Sequence, residues 1–356
     1  MESILKLEPA IEYLMRQWLH QLDQFAEQST TFDLGYWLQL FAFDAVGAFS
    51  FSRPFGFVEQ GDDQGMFAKI ENASGSAMWV MHAKWVYQLH QRIVKPLLGN
   101  LLALNHRNGF FFNFAQDQVR DRKENGGSNE DIVGQLFRIQ ETKPEVSDLT
   151  ISFMMTSNVF AGADTTSTAM RAVVVMLLKH ERVRNRFLAE LRERQVSGSI
   201  SDPVKMHQTE DWPYFQAILY ESLRIHPPAA FNLDRTVPQS GCTIQGRFVP
   251  GGTVVGTNAW VLHRSVAIWG EDAEAFRPER WLEPGHSAEL KRYFFAFGGG
   301  TRTCIGRHIS WLEISKVITT LFMRYRITLA DDAQITDTFR GVVFIEGLRV
   351  KISLRE

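Results

Sequence analysis

More than thirty consecutive residues, from Ser147 to His180, carry one helical pattern, about three times the average helix length. Ser147 is a good N-cap for it. Helical periodicity also recurs at 9–26, 35–50, 64–98, 108–123 and 130–140, and again at 181–195. Polar breaks such as KENGGSNE (123–130) separate these pieces. A further helix, WPYFQAILYESLRI, is stopped by Pro227 and Pro228. The character changes near residue 231. Residues 231–262 hold short β-branched runs between Gly and Pro turns, the signature of a small sheet. An irregular stretch EAFRPERWLEPG follows, then the glycine-rich FAFGGGTRTCIGRHIS and a last long helix to about Arg324. The C-terminal VVFIEGLRVKISLR reads as a strand pair. There are no repeats and no long linker. The expected fold is mainly α with a minor β-sheet, one domain over 1–356, mostly helical over 1–230 and carrying the sheet, the irregular stretch, the glycine loop and the last helix over 231–356.

Composition removes several function classes. Of 356 residues, 45% are apolar and 22% charged, which excludes a disordered or collagen-like chain. The 38 basic and 40 acidic residues give a net charge of −2, so there is no electrostatic case for nucleic-acid binding. With 27 Phe and 9 Trp, a large core is expected. Two cysteines, Cys242 and Cys304, make no disulfide framework. The longest uncharged apolar stretch, Ala172 to Leu178, is far short of the ~20 residues that cross a bilayer. Glu2, Lys6 and Glu8 break any signal-peptide core. From Pro9, apolar residues from Ile11 to Phe25 fall at helical spacing, so the chain opens directly on an amphipathic helix.

Cys304 sits where three glycines lead into a helix N-terminus. Backbone N–H groups and the helix dipole lower a thiol's pKa there and can donate to sulfur. Three readings follow from the cysteine alone: a buried structural thiol, the fate of most lone cysteines; a nucleophile served by His308 one turn on; or a metal ligand. The surrounding pattern separates them. Phe297, Gly300, Arg302, Cys304 and Gly306 match Phe-x-x-Gly-x-Arg-x-Cys-x-Gly, the haem-ligand loop of the cytochrome P-450 family, which the chain resembles over roughly its whole length. Five fixed positions over one sequence recur by chance roughly once in ten thousand sequences. The resemblance implies that Cys304 is the axial ligand of the iron in haem b, a thiolate that favours O–O cleavage. It further implies that Phe297 shields the sulfur side, that Gly300 and Gly306 give the loop its close approach, and that Arg302 reaches a propionate.

Three further matches lie in the family's order. AGADTT (161–166) resembles the oxygen-activation segment of the long helix. Gly162 and hydroxyl side chains are poor helix-interior residues, so a local widening there is expected to admit dioxygen and water, with Asp164 and Thr165 delivering protons. The ordinary role of a mid-helix Thr is a bond back to a carbonyl. Glu221 and Arg224 share a helix face, a pair worth only ~0.2–0.5 kcal/mol by itself. The resemblance adds Arg280 from FRPERW, making a structural trio that pins the irregular stretch. Arg235, just after the Pro227-Pro228 break, is expected on the second propionate. Cys242 reads as an ordinary strand residue. Val159, Phe160, Ala161, Ala229, Ala230, Phe231 and Asn232 are the expected substrate-lining residues.

The motif spacing is most similar to the microsomal-type enzymes of fungi. Family members usually sit at the endoplasmic reticulum membrane and carry an anchor, a first sheet segment and a Trp-x-x-x-Arg helix. Trp18, Trp37, Trp79 and Trp85 have no Arg four residues later, so the expected fold is the family's fold without its N-terminal portion, with weak haem occupancy. The resemblance implies a monooxygenase of specialised (secondary) metabolism that inserts one oxygen atom into an apolar small molecule. Electrons would come from NADPH through a separate flavoprotein reductase, since the chain has no flavin or dinucleotide fingerprint. Two rivals remain: a non-catalytic remnant of such an enzyme, and a cysteine hydrolase built on Cys304 and His308.

Overall fold

The computed structural model describes residues 6–71, 84–89, 92–93, 95–98, 105–128 and 130–355. Its long helices are α1 (Glu8–Gln28), α2 (Leu34–Phe51), α3 (Asn105–Asn125), α4 (Ile132–Thr142), α5 (Asp148–Lys179), α6 (Glu181–Val196), α7 (Pro213–Ile225), α8 (His286–Tyr293) and α9 (Arg307–Arg324). Of the helix expected over 64–98, the pieces 66–71, Lys84–Leu89 and Lys95–Leu98 are helical; most of the rest lies outside the described residues.

The 32-residue α5 is the axis of the fold, capped by Ser147, whose Oγ accepts the Thr150 N–H at 3.2 Å. Helix α2 lies along it. All of α2 except Tyr36 is buried, as its nearly unbroken apolar sequence LGYWLQLFAFDAVGAFSF requires. The polar residues inside α2 are each partnered: Asp44 accepts the N–H groups of Gly56 and Val58, and Ser50 accepts from Asn158 of α5. One apolar cluster runs from Leu7 to Ile352 and joins α1, α2, α5, α6, α7 and α9. Lys316 of α9, fully buried, pairs with Glu8 of α1 at 2.7 Å, which ties the two ends of the chain together.

The strands are β1 (Phe32–Asp33), β2 (Leu233–Thr236), β3 (Cys242–Ile244), β4 (Arg247–Val249), β5 (Val254–Thr257), β6 (Tyr325–Leu329), β7 (Thr336–Phe339), β8 (Val343–Glu346) and β9 (Arg349–Leu354). Cys242 begins β3. The C-terminal segment does hold two strands, but they do not pair with each other. β8 pairs with β7, whereas β9 lies between β1 and β6. Gly347, in the left-handed region at φ 74°, turns the chain out of one sheet and into the other.

Candidate active site

Cys304 is exposed, in the loop between α8 and α9. Gly298 and Gly300 take left-handed φ values of 66° and 65°, which fold the loop back on itself. The Cys304 N–H then donates to the Phe297 carbonyl at 2.9 Å and closes it. Beside the sulfur, Ile305 is 99% exposed. Phe297 is half-buried between Phe294 and Trp311, with ring centroids at 6.3 and 6.1 Å.

The loop is braced from behind by the residues expected to be structural. Glu221, Arg224 and Arg280 are brought together in full burial. Both Glu221 oxygens accept from Arg224 at 2.8 Å, Oε1 also from Arg280 Nε at 2.9 Å, and Oε2 also from Trp281 Nε1 at 2.9 Å. Arg224 spends its remaining donors on the carbonyls of His263, Ala273 and Ala275, and Arg280 on those of Trp269, Asp272 and Ala275. Two buried cations round one buried carboxylate are tolerable here because their donors are aimed at oxygens, among them Asp272 Oδ1 at 3.2 Å from Arg280 Nη1.

His263, which the sequence reading missed, couples this trio to the glycine loop. Its Nε2 accepts the Phe295 N–H at 2.7 Å, so Nδ1 carries the proton and donates to the Arg224 carbonyl at 3.0 Å. Burial pushes the His263 pKa down to about 3, and the neighbouring Arg224 and Arg264 charges act in the same direction. The ring is therefore neutral, as this arrangement needs.

On α5, adjacent residues point about 100° apart, and the AGADTT side chains separate accordingly. Asp164 is buried and faces α2, where Gln39 Nε2 donates to its Oδ1 at 2.9 Å. Gln39 Oε1 in turn accepts from Arg171 Nη2 at 2.6 Å. Arg171 also donates to the carbonyls of Gly35 and Ile345. Burial raises the Asp164 pKa from 3.8 to about 6, against the opposing Gln39 hydrogen bond and Arg171 charge, with Glu71 adding to the rise. Thr165 is half-buried, and its hydroxyl donates to the Ala161 carbonyl at 2.6 Å. Thr166 reaches Ser310 of α9 at 3.2 Å. The expected widening at Gly162 is not present: α5 is continuous through 161–166. A Cβ on Gly162 would stand 2.9 Å from Val46 Cγ2, so this glycine serves the close approach of α2.

Arg302 and Arg235 are both exposed. Arg235, on β2, donates to the neighbouring Asp234 carbonyl at 2.8 Å. Arg302 has no ion pair among the described residues. Val159 is buried in the core and Phe160 packs against it, while Ala161 is open to solvent. Ala229, Ala230 and Phe231 are half-buried and Asn232 is exposed, with the Ala230 carbonyl accepting from Asn258 at 3.0 Å. Cys304 and His308 share no hydrogen bond; His308 Nε2 instead accepts from Arg307 Nε at 3.1 Å.

These residues fit a haem. A soft sulfur donor stands exposed on a loop, the loop carries no side chain at Gly298, Gly299 and Gly300, and two exposed arginines are available to two carboxylates. Among the described residues, no helix is long and apolar enough to cross a membrane.

The family model for cytochrome P-450 matches residues 1–351. The chain is 46% identical over 342 residues to the cytochrome P-450 monooxygenase hepC of Aspergillus oryzae, covering 92% of this chain and 67% of that one. It is 33% identical over 339 residues to a cytochrome P-450 monooxygenase of Aspergillus terreus, covering 92% and 68%. It is 32% identical to the cytochrome P-450 monooxygenase ACRTS1 of Alternaria alternata, covering 93% of this chain and 90% of the relative. The exposed thiol, the braced glycine loop and these likenesses agree, and the chain belongs to the cytochrome P-450 family of haem-thiolate monooxygenases.

Proposed function

We propose that this chain inserts one oxygen atom of dioxygen into an apolar small molecule of specialised metabolism, with electrons passed from NADPH by a separate flavoprotein reductase. The observation that carries the reading is Cys304, exposed at the tip of a loop fixed by Phe297, His263 and the Glu221–Arg224–Arg280 trio. Bound haem supplies the iron at which dioxygen is reduced and its O–O bond broken.

The protein's own contributions follow from its residues. Cys304 would give the sulfur that holds the iron, and the Phe297 carbonyl orients the Cys304 backbone. Arg302 and Arg235 pair with the propionates. Asp164, with its pKa raised to about 6, holds or releases a proton near neutral pH. Thr165 turns its hydroxyl from the Ala161 carbonyl to order the water through which that proton travels. Ala161 and the segment 229–232 offer small and apolar surface to the substrate. Against the hydrolase reading, His308 Nε2 accepts from Arg307 Nε at 3.1 Å and, among the described residues, has no hydrogen bond to Cys304.

The test is reconstitution. The chain is expressed with a haem source, supplied with reductase and NADPH, and screened against apolar substrates for oxygenated product. Incorporation of one labelled oxygen from labelled dioxygen supports the proposal. A haem-loaded chain that consumes no NADPH with any substrate would make it the non-catalytic remnant.

A further inference from the structure

A cleft lies far from the glycine loop. It is about 380 Å³ in volume and opens where the C-terminal part of α9 meets α6 and β6. Phe322, on its floor beside Leu188, is fifteen residues along α9 from Arg307, roughly 22 Å at about 1.5 Å per residue. Its rim is cationic: Arg184, Arg326 and Arg355 line it together with Asn185, and no carboxylate among the described residues does.

Several buried or half-buried arginines of this protein are matched by acids: Arg122 by Asp131, Arg224 and Arg280 by Glu221, Arg277 by Asp272; Arg171 is met instead by two carbonyls and Gln39. Around the cleft, where Arg184 and Arg355 are half-buried and Arg326 is exposed, acids are fewer. Arg184 has only the exposed Glu181 at 3.9 Å, and Arg326 has no ion pair among the described residues. Arg355 is held by carbonyls, its Nε donating to Tyr325 at 2.9 Å and its backbone N–H to Arg324 at 2.8 Å. Burial and then the charges of Arg326, Arg192 and Arg184 press the Arg355 pKa down. In a chain with a net charge of −2, acids were available to neutralise this group of arginines, and none does so among the described residues. Like charges gathered round a concavity with no close carboxylate among the described residues make a site that an anion relieves.

We propose that this cleft binds a phosphoryl group carried on a small molecule with an apolar or aromatic body. Guanidinium forks match phosphate oxygens bidentately. The floor of Leu188 and Phe322 takes the body of the ligand, and the volume lies within the range of small-ligand pockets, about 300–1,000 Å³. A soluble phosphate ester and a lipid phosphate headgroup share this chemistry.

The whole chain is titrated calorimetrically, at fixed ionic strength, with inorganic phosphate and with phenyl phosphate. Its association with phosphatidylcholine vesicles containing phosphatidic acid is measured alongside. Saturable one-to-one binding is expected, tighter for phenyl phosphate than for inorganic phosphate. Arg184→Gln and Arg326→Gln should each weaken it about tenfold or more. Arg120→Gln, an exposed arginine elsewhere, is the control and should leave it unchanged. Circular dichroism and melting without ligand verify that the variants fold. Phenyl phosphate binding without vesicle association identifies a soluble ester; vesicle association lost in both cleft variants identifies a lipid headgroup. Absence of saturable binding to either probe, or equal affinity in parent and cleft variants, overturns the proposal.

Discussion

Gln39 of α2 donates a hydrogen bond to Asp164 of α5 at 2.9 Å, and Arg171 fixes which way that amide faces. Arginine only donates, so the amide oxygen must turn to Arg171 and the nitrogen to Asp164. The carboxyl proposed to supply protons is therefore held from α2 by an amide of fixed orientation.

The titration of Asp164 should be visible in stability. Its folded pKa of about 6 lies above 3.8, so the folded chain binds more protons than the unfolded one in that interval. Stability is then highest in acid and falls as the pH rises from about 4 to about 6. Urea midpoints of the parent minus those of Asp164→Asn should follow this course. Gln39→Leu, which removes an opposing hydrogen bond, should move the inflection to higher pH.

Glu221→Ala leaves Arg224 and Arg280 buried without their carboxylate and strips Trp281 of its acceptor. Loss of one partner of a buried ion pair costs about 3–5 kcal/mol. The variant should unfold at markedly lower urea, with haem affinity falling alongside because the brace behind the loop is gone. An unchanged urea midpoint contradicts this role.

At Gly162, helix propensity and packing oppose each other. Alanine gains about 1 kcal/mol over glycine in a helix interior, but its Cβ would lie 2.9 Å from Val46 Cγ2. Val46 is β-branched and stiff, so overpacking of about 1–3 kcal/mol prevails and Gly162→Ala is destabilising. In a Val46→Ala background the same change should become stabilising. A double-mutant cycle of urea midpoints measures the coupling.

Thr165→Ala removes a hydroxyl that in the resting structure serves only the Ala161 carbonyl. Stability should change by less than about 0.5 kcal/mol. The share of NADPH oxidation that ends in oxygenated product should fall, with the remainder appearing as hydrogen peroxide, and Thr165→Ser should restore it. Coupling equal to the parent would leave Thr165 with its structural bond alone.

Local pattern made much of this legible in sequence. The Ser147 cap, the helix to Lys179, the stop before Pro227 and the Cys304 loop each depend on residues a few positions apart. The Glu221–Arg224 spacing likewise gave the face on which Arg280 converges. Contacts set by packing were not legible. Gln39 and Asp164 are separated by 125 positions, and His263 meets Phe295 only once β5 and the irregular stretch have folded. Arg171, two turns beyond Asp164 on the same helix face, was the available hint of a partner network. Strand pairing failed for a similar reason: Val343–Glu346 and Arg349–Leu354 are adjacent in sequence, but Gly347 sends them to different sheets.

The most direct test of the account is the reduced carbon monoxide spectrum of Cys304→Ser beside that of the parent. A hydroxyl is a harder and weaker iron ligand than a thiolate. The parent should show the long-wavelength Soret band that marks thiolate ligation, and the variant should lose it, with its Soret band moving to shorter wavelength or its haem lost altogether. The same long-wavelength band in both proteins would remove Cys304 as the ligand and, with it, the central claim.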